Sequence, residues 1–129
     1  MMKKFTLLLL MTSSTYSYSS DWVKEMDWYP FCRSAATDAG EYLRARYKGL
    51  SMLQVMDAQR EAISKRIANG PSPKKGTKED LLNIVFNGSR REIIAAFQQP
   101  FPQSDAAQEQ AIMNFKDEWL MKCLQETSK

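Results

Sequence analysis

The chain is predicted to be all-α, with four or five short helices around one core and the first and last helices tied by a disulfide. Three observations predict this. Apolar residues recur at i, i+3/i+4 spacing, and no useful length alternates as a strand would. Helix caps and Gly or Pro breaks punctuate the chain at intervals of one short helix. The two cysteines, Cys32 and Cys123, stand near opposite ends of the helical region.

The first helix can carry Pro30 in its opening turn, where a missing N–H costs nothing. Cys32, Ala35, Ala36, Ala39 and Leu43 then recur at helical spacing. Their small size suggests close packing on a neighbour, and Gly49 stops the helix. Ser51-Met52-Leu53-Gln54 fits a capping box for the second helix. Leu50 and Val55 are placed to form its hydrophobic staple. This helix is expected to run to about Ala68 and to bury Val55, Met56, Ala62, Ile63 and Ile67. Asn69-Gly70-Pro71 ends it, and residues 69–78 form an exposed basic loop.

Thr77 with Asp80 makes a weaker cap for a third helix carrying Leu81, Leu82, Ile84, Val85 and Phe86. Two readings follow. Asn87-Gly88 can end this helix, with Ser89-Arg90-Arg91-Glu92 capping a separate fourth helix that carries Ile93, Ile94 and Phe97. Alternatively one helix runs through, since a glycine costs only about 1 kcal/mol there. Pro100 and Pro102 make a firm break. Ser104 or Asp105 caps the last helix, whose stripe is Ala111, Ile112, Phe115, Trp119 and Cys123.

The first twenty residues set the expected compartment. Met1-Met2-Lys3-Lys4 is a basic head, Phe5–Met11 an apolar run, and Thr12–Ser20 a hydroxyl-rich tail. That order is the pattern of a cleavable bacterial signal peptide. The apolar run is about seven residues against the roughly twenty needed to span a bilayer. Cutting after Ser19 puts Ser17 and Ser19 at the −3 and −1 positions; cutting after Ser17 puts Thr15 and Ser17 there. The expectation is a signal peptide over 1–19 and a single helical domain over 20–129, exported to the periplasm or secreted. No later stretch suggests stable membrane insertion of the mature chain.

Charge and composition narrow the function classes. The net charge is +3, but removing Lys3 and Lys4 leaves 16 basic against 15 acidic residues. Near neutrality gives no case for nucleic acid as a partner. The chain has no histidine, so the commonest general base, metal ligand and pH switch is missing. Two cysteines alone cannot complete a tetrahedral zinc site, and no Cys-x-x-Cys is present. No metal or other cofactor is expected. In an oxidising compartment Cys32 and Cys123 are expected to pair. The closed loop of roughly ninety residues would be worth about 4–5 kcal/mol on the chain-entropy model.

A resemblance rests on three motifs. A cysteine opens an alanine-rich helix ending in Arg44-Ala45-Arg46-Tyr47-Lys48-Gly49-Leu50-Ser51. A later helix carries Glu92-Ile93-Ile94-Ala95-Ala96-Phe97 and stops at Pro100. An aromatic last helix ends in a cysteine. The pattern resembles a loose group of small, exported, two-cysteine helical proteins of proteobacteria, generally of unknown function. It spans roughly residues 32–123, with the segment from Asn69 to Gly88 fitting least well. It implies export, the disulfide and the helical fold, and it brings no catalytic residue.

The search for chemistry favours binding over catalysis. Asp117-Glu118 and Glu79-Asp80 are adjacent on helices and point about 100 degrees apart, so spacing does not poise them as acid and base. No nucleophile elbow or phosphate loop occurs. Two candidate partner-binding sites remain. One is the aromatic run holding Trp22, Trp28, Tyr29 and Phe31, and the other is the basic loop with Lys74 and Lys75, near which Arg90-Arg91 could lie. Met52, Met56, Met113 and Met121 could add adaptable surface. The expected function is a non-enzymatic periplasmic protein-binding protein, such as an inhibitor or immunity protein, whose partner is another periplasmic or exported protein. The alternatives are a periplasmic chaperone and a cell-wall hydrolase.

Overall fold

The structure is a computed structural model and describes residues 27–128. The expected signal peptide and Trp22 lie outside the described residues. Within them the chain forms four α-helices and no strand. These are α1 (Tyr29–Tyr47), α2 (Met52–Ala68), α3 (Lys78–Phe97) and α4 (Asp105–Thr127).

Local chemistry sets each boundary. Pro30 sits in the first turn of α1, and the Asp27 carboxylate accepts the Tyr29 amide at 3.0 Å in place of a capping side chain on Trp28. The far end of α1 closes as a Schellman motif. The Leu50 amide donates to the Ala45 carbonyl and the Gly49 amide to that of Arg46. Gly49 has φ +97, which L side chains rarely adopt. The Ser51–Gln54 capping box is complete. Leu50 stays exposed, so the staple against Val55 buries little. Thr77–Asp80 is also a full reciprocal box, with Asp in the Glu/Gln position. Ser104, not Asp105, caps α4.

The two-helix reading of residues 78–97 is corrected: α3 runs unbroken through Gly88. Leu82, Ser89, Ile93 and Ala96 recur at helical spacing on both sides of the glycine. Leu82, Ile93 and Ala96 are buried. A break would rotate one half of that stripe out of the core, which outweighs the roughly 1 kcal/mol cost of one glycine. Ser89 consequently does not cap a helix. A second correction concerns α2, where Ala62 is exposed and the burial rests on Val55 and Ile63, with Met56 and Ile67 half-buried.

Helix α1 is the hub. It packs along α4 on one side and crosses α3 on the other, while α2 pairs mainly with α3. The core is Ala39, Tyr42, Leu43, Val55, Ile93, Ala96, Ile112 and Phe115. The small residues expected to allow close packing do so. Ala36, Ala39 and Gly40 are buried, and a Cβ on Gly40 would come within 2.5 Å of Lys116 Cγ, whose stem lies across it from α4.

A polar clasp fixes the C-terminal ends of α1 and α3. Arg46 donates to the carbonyls of Ala96 (3.1 Å) and Gln99, and its guanidinium stands over the rings of Phe97 and Phe101. The Tyr47 hydroxyl donates to the Pro100 carbonyl at 2.8 Å. Along the outer face of α1, Arg44 pairs with Glu109 of α4.

Candidate partner-binding surface

Cys32 and Cys123 form a disulfide with a Cα–Cα distance of 5.6 Å. The bond brings the first turn of α1 and the last turns of α4 to one end of the molecule. Cys32 is fully buried beneath this end. The residues above it are not. Trp28 is half-buried and packs edge-on against Phe31, with ring centroids 5.7 Å apart. Phe31 is nevertheless 60 % exposed and Tyr29 46 %. On α4, Leu120, Met121 and Leu124 line a shallow open depression with Asp117, Gln125 and Ser128. Met121 is 61 % exposed.

Three of the residues expected to bind, Trp28, Tyr29 and Phe31, therefore stand at the disulfide end. The depression on α4 is lined by α4 residues alone, and Met121 also faces Gln99 and Pro100 across a second shallow hollow. Met121 is surface, as its sequence context suggests, whereas the sequence reading gives no role to Leu120 and Leu124. Their signal was available as a second apolar stripe on α4 beside the core stripe. A helix apolar on more than its core face is a cue for a second contact.

Lys74 and Lys75 are exposed in the loop between α2 and α3. Pro71 and Pro73 stiffen this loop, and Gly76 turns it with φ +76. Lys78 does not join them as a free cation: its ammonium donates inward to the carbonyls of Ala68 (3.1 Å) and Gly70 (3.0 Å). Arg90 and Arg91 do not lie near the loop either. The continuous α3 rises about 18 Å from its first residue to Arg90. Of the basic residues expected at this site, Lys74 and Lys75 remain.

The adjacent carboxylates take structural roles where they take any. Glu79 meets Arg60 at 3.7 Å and Asp80 caps α3. Among the described residues no group of acidic and cysteine side chains could hold a metal ion. No described helix is long and apolar enough to cross a membrane.

Sequence reasoning missed one constellation. On α1, Asp38 and Tyr42 are one turn apart; the charge of Asp38 reaches Glu92 of α3, and Ser89 of α3 lies beside Tyr42. Glu92 is half-buried, and burial, reinforced by the charge of Asp38 and opposed by Arg91, raises its carboxyl to about 7. Asp38, more open to solvent, moves in the same direction through partial burial, against Arg66 and with Glu41. Burial pushes the Tyr42 phenol up to about 12. Its hydroxyl oxygen is sealed from solvent without a hydrogen-bond partner. Ser89 lies beside it and eases the upward shift of the phenol, and the Ser89 oxygen also accepts from Gln59 at 3.4 Å. The only sequence signal was Glu92 itself, which helix continuity moves from a capping position to a helix face.

Comparison with known protein families, curated proteins and solved structures finds no match to this chain.

Proposed function

We propose that this chain is an exported, non-enzymatic protein that acts by binding another exported protein through the apolar surface at its disulfide end. One observation carries the reading. Tyr29, Phe31 and Met121 remain exposed on an end that the Cys32–Cys123 bond holds in place. Clustered apolar side chains of this size are costly to leave in water. Aromatic residues also dominate the energetically important centres of interfaces. A covalently fixed surface loses less freedom on binding. An inhibitor or immunity protein directed at an exported toxin or cell-wall hydrolase fits this chemistry, with Lys74 and Lys75 as a steering charge for an acidic partner.

The test is capture of a partner from a periplasmic extract by the oxidised mature protein, followed by kinetics on variants. Phe31→Ala with Tyr29→Ala should raise the off-rate and be nearly independent of salt. Lys74→Ala with Lys75→Ala should lower the on-rate, with a difference that fades as salt rises. Capture unchanged by both pairs would place the interface elsewhere.

A cell-wall hydrolase is the second reading, and the Asp38–Glu92 pair is the observation in its favour. A carboxyl that protonates near neutrality has the property a general acid needs. Neither carboxylate lines the apolar depression on α4. Turnover of peptidoglycan by purified protein, abolished in Glu92→Gln, would replace the binding reading with this one.

A further inference from the structure

We propose that Lys74-Lys75 is a processing site: a trypsin-like serine protease cuts the Lys75–Gly76 bond, and the product stays folded as two chains joined by the Cys32–Cys123 disulfide. The backbone singles out this site. Among the described residues three pairs of basic residues are adjacent in sequence, Lys65-Arg66, Lys74-Lys75 and Arg90-Arg91. The first pair lies in α2 and the third in α3, where helical hydrogen bonds hold the chain coiled. A protease takes its substrate as an extended strand, paired through main-chain hydrogen bonds. Only the middle pair meets that need. Among the described residues no backbone–backbone hydrogen bond involves residues 71–76. Lys74, Lys75, Gly76 and Thr77 are all exposed. Pro71 and Pro73 keep the approach extended, because each fixes its own φ and disfavours the helical region for the residue before it. Lys48 is the only other described basic residue outside a helix, and its amide and those of Gly49 and Leu50 are all bonded to α1 carbonyls.

Cutting after Lys75 puts that side chain in the pocket whose carboxylate reads a basic residue. Lys74 fills the preceding subsite, and Gly76 brings no side chain to the following one. One water is added across the amide bond. Its oxygen stays on the Lys75 carbonyl carbon, which ends as a carboxylate, and both its protons end on the Gly76 nitrogen, which becomes an ammonium. The ends created in this way are already held. The Lys78 ammonium, on the second fragment, donates to the carbonyls of Ala68 (3.1 Å) and Gly70 (3.0 Å), on the first. These two bonds close the base of the loop below the cut. Asp80 lies against Gly76: its Oδ2 accepts the Thr77 amide at 2.8 Å and stands 2.8 Å from where a Gly76 Cβ would be. The new ammonium therefore arises beside a carboxylate.

The cut parts α1 and α2 from α3 and α4 along the chain, but not in space. The disulfide joins α1 to α4. Helix α1 also packs along α4 and crosses α3, and α2 pairs with α3. Arg46 of the first fragment reaches the carbonyls of Ala96 and Gln99 on the second. What changes is the linkage. In the intact chain the disulfide closes a loop, whereas in the nicked protein it is the sole covalent tie between the halves. Reduction then frees the two halves to separate, which it cannot do in the intact chain. This inference does not rest on the partner surface at the disulfide end, because the site lies on the α2–α3 loop and its test needs no partner.

Trypsin is the probe, applied briefly and at a low ratio to the oxidised mature protein, and cuts within residues 27–128 are read by intact mass. Without reductant the core product should be one species heavier by a single water. With reductant it should resolve into two chains, one ending at Lys75 and one beginning at Gly76. Hydrogen exchange should show all four helices still protected in the nicked protein. Lys74→Gln with Lys75→Gln should slow the first cut within residues 27–128 by about a hundredfold or more, because the other basic sites then wait for bonded backbone to open. Lys78→Met should leave the cut in place and loosen its product, with faster exchange in the last turn of α2 and the first turn of α3. A first cut elsewhere within residues 27–128, a double variant cut as fast as wild type, or nicked protein without helical protection would overturn the proposal. So would trypsin held in a stable complex with uncut protein, which would make the loop inhibitory. A clean nick alongside failed partner capture supports the processing site and removes only the binding proposal.

Discussion

Arg46 and Tyr42 show how differently two polar groups at one helix crossing can contribute. Arg46 serves two carbonyls and two aromatic faces with one planar group. Hydrogen bonds from a charged donor are worth about 1.5–3 kcal/mol, and the carbonyls left behind would lose their partner. Arg46→Ala should therefore cost about 2–3 kcal/mol in denaturant unfolding. Arg46→Lys should recover little of it, because an ammonium lacks the fork and the stacking plane. The Tyr42 hydroxyl is sealed from solvent, with the Ser89 side chain beside it and no hydrogen bond of good geometry. Tyr42→Phe removes an unpaired buried group and should be neutral or stabilising by up to about 1 kcal/mol in the same assay. A loss above that would mean the hydroxyl has a bound partner. Neither role was legible in the sequence. Arg46 belongs to the Arg44–Ser51 motif, but its acceptors lie some fifty residues on. The environment of Tyr42 depends on which face of α3 meets α1.

At the scale of the helix, what is local was legible and what is contextual was not. Capping boxes reside in four consecutive residues, so Ser51–Gln54 and Thr77–Asp80 could be read directly. The continuity of α3 could not be, because Gly88 and the Ser89–Glu92 spacing both argue locally for a break. The deciding factor is the burial of Leu82 and Ile93 against other helices. Gly88 is then a residue the fold tolerates without using. Its φ is ordinary, and a Cβ there would meet nothing within 4 Å. Gly88→Ala should raise stability by about 0.5–1 kcal/mol through the backbone entropy of the unfolded chain. Thr77→Ala should lower it by about 1 kcal/mol. Thermal unfolding of the two variants beside wild type checks both signs. A destabilised Gly88→Ala would mean that something closely approaches that face.

Across the whole molecule the disulfide does more than its position in the sequence implied. Expected pairing of Cys32 with Cys123 is met, and its loop spans a sequence separation of 91. The chain-entropy model assigns such a loop about 4–5 kcal/mol. The arrangement of the helices says where that stabilisation acts. Helix α4 packs along α1 and makes little contact with α2 or α3. The α2–α3 pair instead has its own interface, including Gln59 with Ser89 and Arg60 with Glu79. At the disulfide end Leu120 and Leu124 of α4 are partly buried and Met121 is exposed, and no core residue of α4 lies beyond Phe115. Reduction should therefore act locally before it acts globally. Hydrogen exchange after Cys123→Ala should rise first in α4 beyond Phe115 and in the first turn of α1, while α2 and α3 stay protected. The binding surface would come apart in that same step, since its two halves are joined by the bond. Partner capture should then fall under conditions where the α2–α3 amides remain protected. Uniform loss of protection along all four helices would show instead that α4 and the α2–α3 pair unfold as one unit.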